Sequence, residues 1–426
     1  MDKKRLIATI YVKNGSLVVG KEDNSPVGEP ENIARMFNDC GIDNILLMDI
    51  SDDIEGHKRS MTTIKEINKV LEVTAYGYGW IETINDVKDY LFAGCEKVIL
   101  NSSNPEIMNL IIEAGTRYGK DKLSLSLDSV DFLFKQKASI KENFDDLFLF
   151  SKDIIEAVEH MTDVPYYAFV EGDDINPYVE VMKNELCLGV GGYILDKLTT
   201  DIMLLKYRFR NMGIPVYIFE SSLDWSEFKL DNDGLIAVVT QDYTTNEVLN
   251  YGYMDEEAFN ETMSSGKMAY YNKETKQVAR HGMGTRQYQY VKSLSVDCHK
   301  QVLLAKISQV GNACHTGNYS CFHTEILRKD YIEKNIFKLL ENKYNNISAR
   351  KADPVEGSST AMLFEKGLNE ILKRLQHVTT EMTLCAKDED IDALPPHIAD
   401  LLYITMVLMC EYDIRWDDIT REMGER

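Results

Sequence analysis

The sequence predicts a multidomain protein: an α/β barrel of the (β/α)8 type, then a mainly β domain, then an all-α helical bundle. Three observations carry that prediction. The first half alternates short β-rich runs with amphipathic helical runs, the rhythm of a parallel sheet. A polar, turn-rich stretch at 221–233 then gives way to strand and hairpin patterns. From about residue 329 the apolar positions fall at helical spacing. These changes set the domain boundaries at 1–228, 229–328 and 329–426.

In the first segment, residues 6–12, 45–49, 73–76, 97–100, 123–127, 166–170 and 215–219 read as strands. Residues 30–40 and 83–93 between them read as helices. About 225 residues at this rhythm fit a closed barrel, which typically needs roughly 200 or more. An open doubly wound sheet is the competing fold, and rhythm alone does not separate the two. In the second segment, 235–242, 247–254, 267–272, 287–297 and 302–310 read as strands, with one helix near 256–263. In the third, 360–375, 378–387 and 396–412 read as three helices of a small bundle.

Hydrophobic residues make up 44% of the 426-residue chain and charged residues 27%, enough to bury a real core. The formal net charge of -22 argues against nucleic acid or an anionic membrane as partner. It does not forbid a phosphorylated small molecule at a locally positive site. No apolar run reaches the roughly 18 residues that span a bilayer, and no secretory leader pattern opens the chain. The expected location is the cytoplasm. Eight cysteines in this length are not a disulfide framework, so clustered ones read as metal ligands.

The strongest signal is such a cluster. Cys298, Cys314 and Cys321 stand 16 and 7 residues apart, and His299 and His315 each follow a cysteine. Zinc favours thiolate and imidazole ligands, and a catalytic zinc keeps one position for water. Bound zinc brings the pKa of that water towards neutrality. Two other readings stay open at this point: ordinary buried thiols, or a structural zinc closed by His315, His299 or His323.

Cys298, the run Ala313-Cys314-His315-Thr316-Gly317 and Ser320-Cys321-Phe322 closely resemble phosphoribosyl-AMP cyclohydrolase. The resemblance extends over 234–323. It takes in Gly234 to Asp242 (GLIAVVTQD), Tyr253-Met254-Asp255-Glu256-Glu257-Ala258, and Gln289. It implies a mainly β cyclohydrolase domain with zinc held by Cys298, Cys314 and Cys321. It also implies a homodimer whose subunits share the zinc sites, phosphoribosyl-AMP as substrate, and proton transfer by His315. The implied chemistry is hydrolytic opening of the adenine ring between N1 and C6. Water must attack an aromatic carbon and N1 must be protonated, and an imidazole near neutrality can move that proton. Zinc nucleobase deaminases attack the same kind of carbon.

The chain departs from this family in two places. The family's Asp-Cys-Asp-x-Asp, a magnesium site, reads Asp297-Cys298-His299-Lys300-Gln301 here. Asp297, His299 and Gln301 make a poor set for a hard cation, which favours a softer second metal or none over magnesium. The family's Trp-x-Lys-Gly-Glu-Thr-Ser-Gly loop reads Ala279-Arg280-His281-Gly282-Met283-Gly284-Thr285-Arg286. The expected substrate-binding residues are therefore Arg280, His281, Gly282, Thr285, Arg286 and Gln289. The two arginines either replace lost phosphate ligands or are solvated surface charges.

Residues 331–426 resemble phosphoribosyl-ATP pyrophosphohydrolase, through Lys351-Ala352-Asp353-Pro354, Gly357-Ser358-Ser359-Thr360, Phe364-Glu365-Lys366-Gly367-Leu368 and Ala399-Asp400-Leu401-Leu402-Tyr403. That family holds magnesium with ExxE and ExxD pairs, each on one helix face. Here the pairs read Val378…Glu381 and His397…Asp400, and His377 replaces a preceding glutamate. Glu381 and Asp400 alone form a vestigial site, so weak or no pyrophosphate release is expected; an oligomerisation module is the alternative.

The first segment resembles the (β/α)8 barrels of the same pathway, the isomerase and the imidazole-glycerol-phosphate synthase cyclase. The matching runs are Asn14 to Gly20, Gly28-Glu29-Pro30, Cys40 to Ile50 and Ala93 to Ser102. Those enzymes use aspartates on the first and fifth strands. Here the positions hold Tyr11 and Asp128, and the later phosphate glycines read Phe169-Val170-Glu171. A tyrosine, with its pKa near 10, does not replace a carboxylate base. The barrel is expected to be catalytically silent, with Asn101 and Ser102 as its best phosphate-binding candidates. Two alternatives to a single ring-opening activity remain. One is a bifunctional enzyme that also hydrolyses phosphoribosyl-ATP; the other is a non-catalytic scaffold with structural zinc.

Overall fold

The structure is a computed structural model that describes residues 3–327, 329, 335–355 and 357–424. Tyr331 and Arg426, the ends of the pyrophosphohydrolase-like stretch, lie outside the described residues. The chain forms two compact units, Met1–Thr324 and Glu325–Arg426.

The first unit begins with strands β1 (Arg5–Lys13), β2 (Ser16–Val18), β3 (Asn44–Asp49), β4 (Thr74–Tyr78), β5 (Lys97–Asn101), β6 (Leu123–Ser126), β7 (Leu147–Leu149), β8 (Tyr166–Val170) and β9 (Cys187–Gly192). Helices α1 (Pro30–Cys40), α2 (Ile54–Val70), α3 (Ile84–Phe92), α4 (Ile107–Tyr118), α5 (Val130–Asn143), α6 (Lys152–Met161), α7 (Ile175–Met182), α8 (Tyr193–Asp196) and α9 (Ile202–Asn211) alternate with them. The sheet order is β2-β1-β3-β4-β5-β6-β7-β8-β9, and β1 also pairs in parallel with β9. The ring is therefore a closed barrel of eight parallel strands with β2 as an antiparallel arm. Closure removes the open-sheet alternative.

Strand residues alternate between two buried layers, as expected where helices cover a closed sheet. Leu6, Ala8 and Ile10 pack outward against the helices. Ile7, Met48, Tyr76, Phe148 and Phe169 fill the interior. The rings of Phe150 and Phe169 lie 4.5 Å apart and those of Tyr78 and Phe150 5.0 Å apart, so aromatic side chains plug the barrel. The strand expected at 215–219 is absent. Val216 makes only an isolated bridge with Lys4, because β9 already occupies the edge of β1.

The same unit continues with β10 (Ile236–Asp242), β11 (Val248–Met254), α10 (Glu256–Ser265), β12 (Ala269–Asn272), β13 (Gln277–Arg280), β14 (Gln289–Val296) and β15 (Val302–Gln309). Four of these strands form a sheet in the order β11-β10-β15-β14, and β12 and β13 form a separate hairpin. Ile236, Val238, Leu249, Phe259, Leu303 and Ile307 make its core.

The second unit holds α11 (Ile336–Ala352), α12 (Ser359–Lys366), α13 (Leu368–Lys387), α14 (Leu394–Glu411) and α15 (Trp416–Gly424). The break expected after residue 375 is absent; it falls instead at Gly367, between α12 and α13. Ile347, Ile371, Ile404 and Val407 are among its buried residues. Lys351 donates to the carbonyls of Cys410 at 2.7 Å and Glu411 at 3.2 Å. These are end carbonyls of α14, where a cation also meets the negative end of the helix dipole. Lys351→Ala is expected to destabilise this unit by about 1 kcal/mol, read as a lower midpoint in urea unfolding of the full chain. An unchanged midpoint would remove the cap from the account.

Candidate active site

Cys314 and Cys321 lie on the loop that follows β15. A tight turn carries Cys314: Gly317 donates its N–H to the Cys314 carbonyl at 3.0 Å, and Cys314 donates to the Asn318 carbonyl at 3.1 Å. The returning segment is pinned to β11, where Cys321 N–H donates to the Leu249 carbonyl at 2.7 Å and Ser320 Oγ to the Val248 carbonyl at 2.7 Å. Tyr319 donates its hydroxyl to Asp242 Oδ2 at 2.8 Å. The result brings the two thiols near enough for each to shift the other's acidity.

Their environments differ. The Thr316 side chain, its Oγ1 3.0 Å from the sulfur, and the Thr316 and Asn318 backbone hold Cys314 below the ordinary thiol range. Burial and the neighbouring Cys314 sulfur push Cys321 up. Cys314 is thus the more acidic thiol of the pair. His315 sits exposed on the same turn, beside Cys314.

Cys298 is not brought into this pair. It is exposed on the turn between β14 and β15. Among the described residues no group of three or more His, Cys, Asp or Glu side chains could hold a metal within one chain. Asp297, His299 and Gln301 share that turn, but the Asp297 carboxylate is occupied. It accepts the N–H groups of His299 at 3.1 Å, Gln301 at 2.6 Å and Val302 at 2.9 Å, which lower its pKa.

The expected substrate loop follows β13. His281 bridges it to the thiol loop: Nδ1 lies 3.1 Å from the Gln287 carbonyl and Nε2 3.0 Å from the Ala313 carbonyl. Gly282 adopts φ 75°, and a Cβ there would meet the Gln287 carbonyl oxygen at 2.3 Å. Only glycine fits that turn. Arg286 donates its N–H to the Gly282 carbonyl at 2.7 Å and leaves its side chain exposed, while Thr285 Oγ1 accepts from Gln287 N–H at 3.4 Å.

Two of the expected substrate residues have other partners. Arg280 pairs with Glu261 through Nε and with Asp201 Oδ2 at 3.3 Å through Nη1. Gln289 is fully buried; it donates to Asn250 Oδ1 at 2.8 Å and Gln309 Oε1 at 2.9 Å, and accepts from Tyr270 at 2.6 Å. Asn250 also donates to the Tyr270 hydroxyl at 3.1 Å and accepts from Thr240. This closed buried network was not anticipated. Its signal was polar residues, Thr240, Asn250 and Gln289, at inward strand positions, where a buried polar group must find partners.

In the barrel, Asn101 accepts from Ser103 N–H at 2.9 Å, and Ser102 Oγ accepts from Asp128 N–H at 2.9 Å. Asn101 serves its own turn, while Ser102 ties the end of β5 to the residues after β6. In the helical unit Val378 is buried in the core, Glu381 lies 3.9 Å from His377 Nδ1, and Asp400 is exposed on α14. No helix among the described residues is long and apolar enough to cross a membrane.

Three family models match the chain. One described as histidine biosynthesis protein matches residues 5–170, phosphoribosyl-AMP cyclohydrolase matches 250–323, and phosphoribosyl-ATP pyrophosphohydrolase matches 341–426. The histidine biosynthesis bifunctional protein HisIE of Thermoanaerobacter pseudethanolicus is 38% identical over 209 residues, covering 46% of this chain and 97% of that protein. The protein of the same name from Caldanaerobacter subterraneus subsp. tengcongensis is 36% identical over 204 residues, covering 48% and 98%. That from Bacillus subtilis is 32% identical over 200 residues, covering 47% and 95%.

Proposed function

Since the chain belongs to the HisIE family of histidine biosynthesis bifunctional proteins, we propose that residues 250–323 open the adenine ring of phosphoribosyl-AMP by hydrolysis. The observation that carries this reading is the pairing of Cys314 with Cys321 inside the matched segment. Two adjacent thiols of unequal acidity suit a soft divalent ion. Cys314 and Cys321 of one chain would hold zinc together with Cys298 of a second copy, since among the described residues of one chain no three such groups come together. A homodimer would complete such a site. Zinc bound there would supply the acidified water that attacks C6.

The chain's own residues do the rest. As water oxygen bonds to C6, the C6–N1 bond breaks and its electron pair goes to N1, which must take a proton. His315, exposed beside Cys314, would carry that proton. The Arg286 guanidinium is exposed on the Gly282 turn and meets the substrate phosphate. Arg280 does not take that role, since Glu261 and Asp201 already engage it. The barrel, with Tyr11 for the first-strand carboxylate and an aromatic plug inside, is a scaffold.

The second reading, hydrolysis of phosphoribosyl-ATP as well, is favoured by the match at 341–426 and by the bifunctional relatives. Against it stands Val378, a core residue where the family carries a carboxylate. Assaying the two substrates separately decides. Ring opening without appreciable pyrophosphate release is the expected result. Robust pyrophosphate release would establish the second reading, and absence of both activities would leave a scaffold.

A further inference from the structure

The barrel meets the strand-rich domain through a built polar contact that the ring-opening reading does not use. Asp201 is the N-cap of α9. Its Oδ1 accepts from Leu204 N–H at 3.3 Å, while its Oδ2 takes Lys267 Nζ at 2.8 Å and Arg280 Nη1 at 3.3 Å. One oxygen thus caps the barrel helix and the other reaches across to the neighbouring domain. Lys267 and Arg280 flank the base of the β12–β13 hairpin. The residue after each, Met268 and His281, are joined by the His281 N–H to the Met268 carbonyl at 2.9 Å. The His281 ring then touches the Ala313 carbonyl, next to Cys314. Met203, on the first turn of α9, packs against Gly266, one residue before Lys267.

We propose that Asp201 is a positioning residue: the barrel, through Lys267 and Arg280, fixes the hairpin base and so the 281–286 loop and the Cys314 turn. This rests on the ring-opening reading for its catalytic consequence but not for its structural one. It gives the silent barrel a task, which is to hold the substrate loop from outside the catalytic domain. It also explains why Arg280 is not free for phosphate. The contact is only partly solvent-exposed, with side-chain exposures of 13% for Lys267 and 23% for Asp201, so water screens it less than a surface pair.

The test is Asp201→Asn in the full chain. Asparagine is an equally good N-cap, so α9 keeps its start, but an amide in place of Oδ2 no longer neutralises two cations. Backbone hydrogen exchange is expected to quicken several-fold at His281, Arg286 and Cys314, whose N–H groups are hydrogen-bonded in the wild type, while the barrel strands stay protected. KM for phosphoribosyl-AMP is expected to rise roughly tenfold, with kcat changing less. Lys267→Gln removes one arm and is expected to give a smaller effect in the same segment; it decides the matter should Asp201→Asn not fold. Glu72→Gln breaks a different interdomain pair, to Lys292 at 2.8 Å on β14, and is expected to leave 281–286 protected. Unchanged exchange in both Asp201→Asn and Lys267→Gln, or equal loosening by Glu72→Gln, would overturn the proposal. Faster exchange in Asp201→Asn, together with a wild-type protein that does not open the ring, would refute the functional reading and keep the coupling.

Discussion

Cys314→Ala is expected to abolish ring opening, by more than the roughly 10–100-fold that loss of an outer-shell partner costs a metal site, and to empty the protein of zinc. The fold should survive. Cys314 is 6% exposed and its loop is held mainly by backbone bonds around Asn318, Tyr319 and Leu249, none of which uses the sulfur. Cys95→Ala is the control. That thiol is buried in the barrel, and burial raises its pKa to about 12, so it is neither a ligand nor a nucleophile at neutral pH. Turnover at saturating phosphoribosyl-AMP and metal content, measured side by side, check the prediction. Full activity in Cys314→Ala would end both the zinc assignment and the ring-opening site.

Asp196→Asn is expected to stabilise the barrel above neutral pH. The Asp196 carboxyl is set against β1, where Oδ1 accepts from Thr9 N–H at 2.7 Å and Oδ2 from the Tyr11 hydroxyl at 3.4 Å. Burial outweighs these bonds and raises its pKa to about 7. The folded state therefore prefers the protonated acid more than the unfolded chain does. Its contribution is fully present below about pH 4, the unfolded value, and is lost as pH rises through 7. A rise from the ordinary carboxylate value to about 7 corresponds to about 4 kcal/mol. Asparagine cannot ionise, so the variant should gain on the wild type steadily between pH 4 and 7 and hold that gain at pH 8. Urea unfolding at several pH values reads it out. A variant–wild-type difference that does not change with pH would contradict the assignment.

Much of this was legible in the chain because local pattern and final environment agree. Residues 45–48 are an apolar run and 123–127 alternate leucine with serine, both bounded by turn residues, and both became barrel strands. Strands β7 and β9 were missed for opposite reasons. β7 is three residues long, too short to show a period. β9 is rich in glycine, which reads as a turn; yet a Cβ at Gly191 would meet the Phe169 ring at 2.3 Å, so the aromatic plug demands glycine there. The cysteine spacing pointed to the thiol loop because the turn that carries Cys314 is closed by its own backbone, through Gly317 and Asn318. The fate of Arg280 was not legible: its partner Asp201 is 79 residues away and in another domain, and no local pattern encodes that meeting. Gln289 was assigned to substrate for the same reason, since its partners Asn250 and Gln309 converge only in the folded sheet.

X-ray absorption at the zinc edge of the purified full-length protein tests the central claim most directly. The predicted result is three sulfur neighbours at about 2.3 Å and one lighter oxygen neighbour, with one sulfur lost in a Cys298→Ala variant. A zinc closed by four protein ligands, or a protein that turns over phosphoribosyl-AMP with no zinc at all, would contradict it.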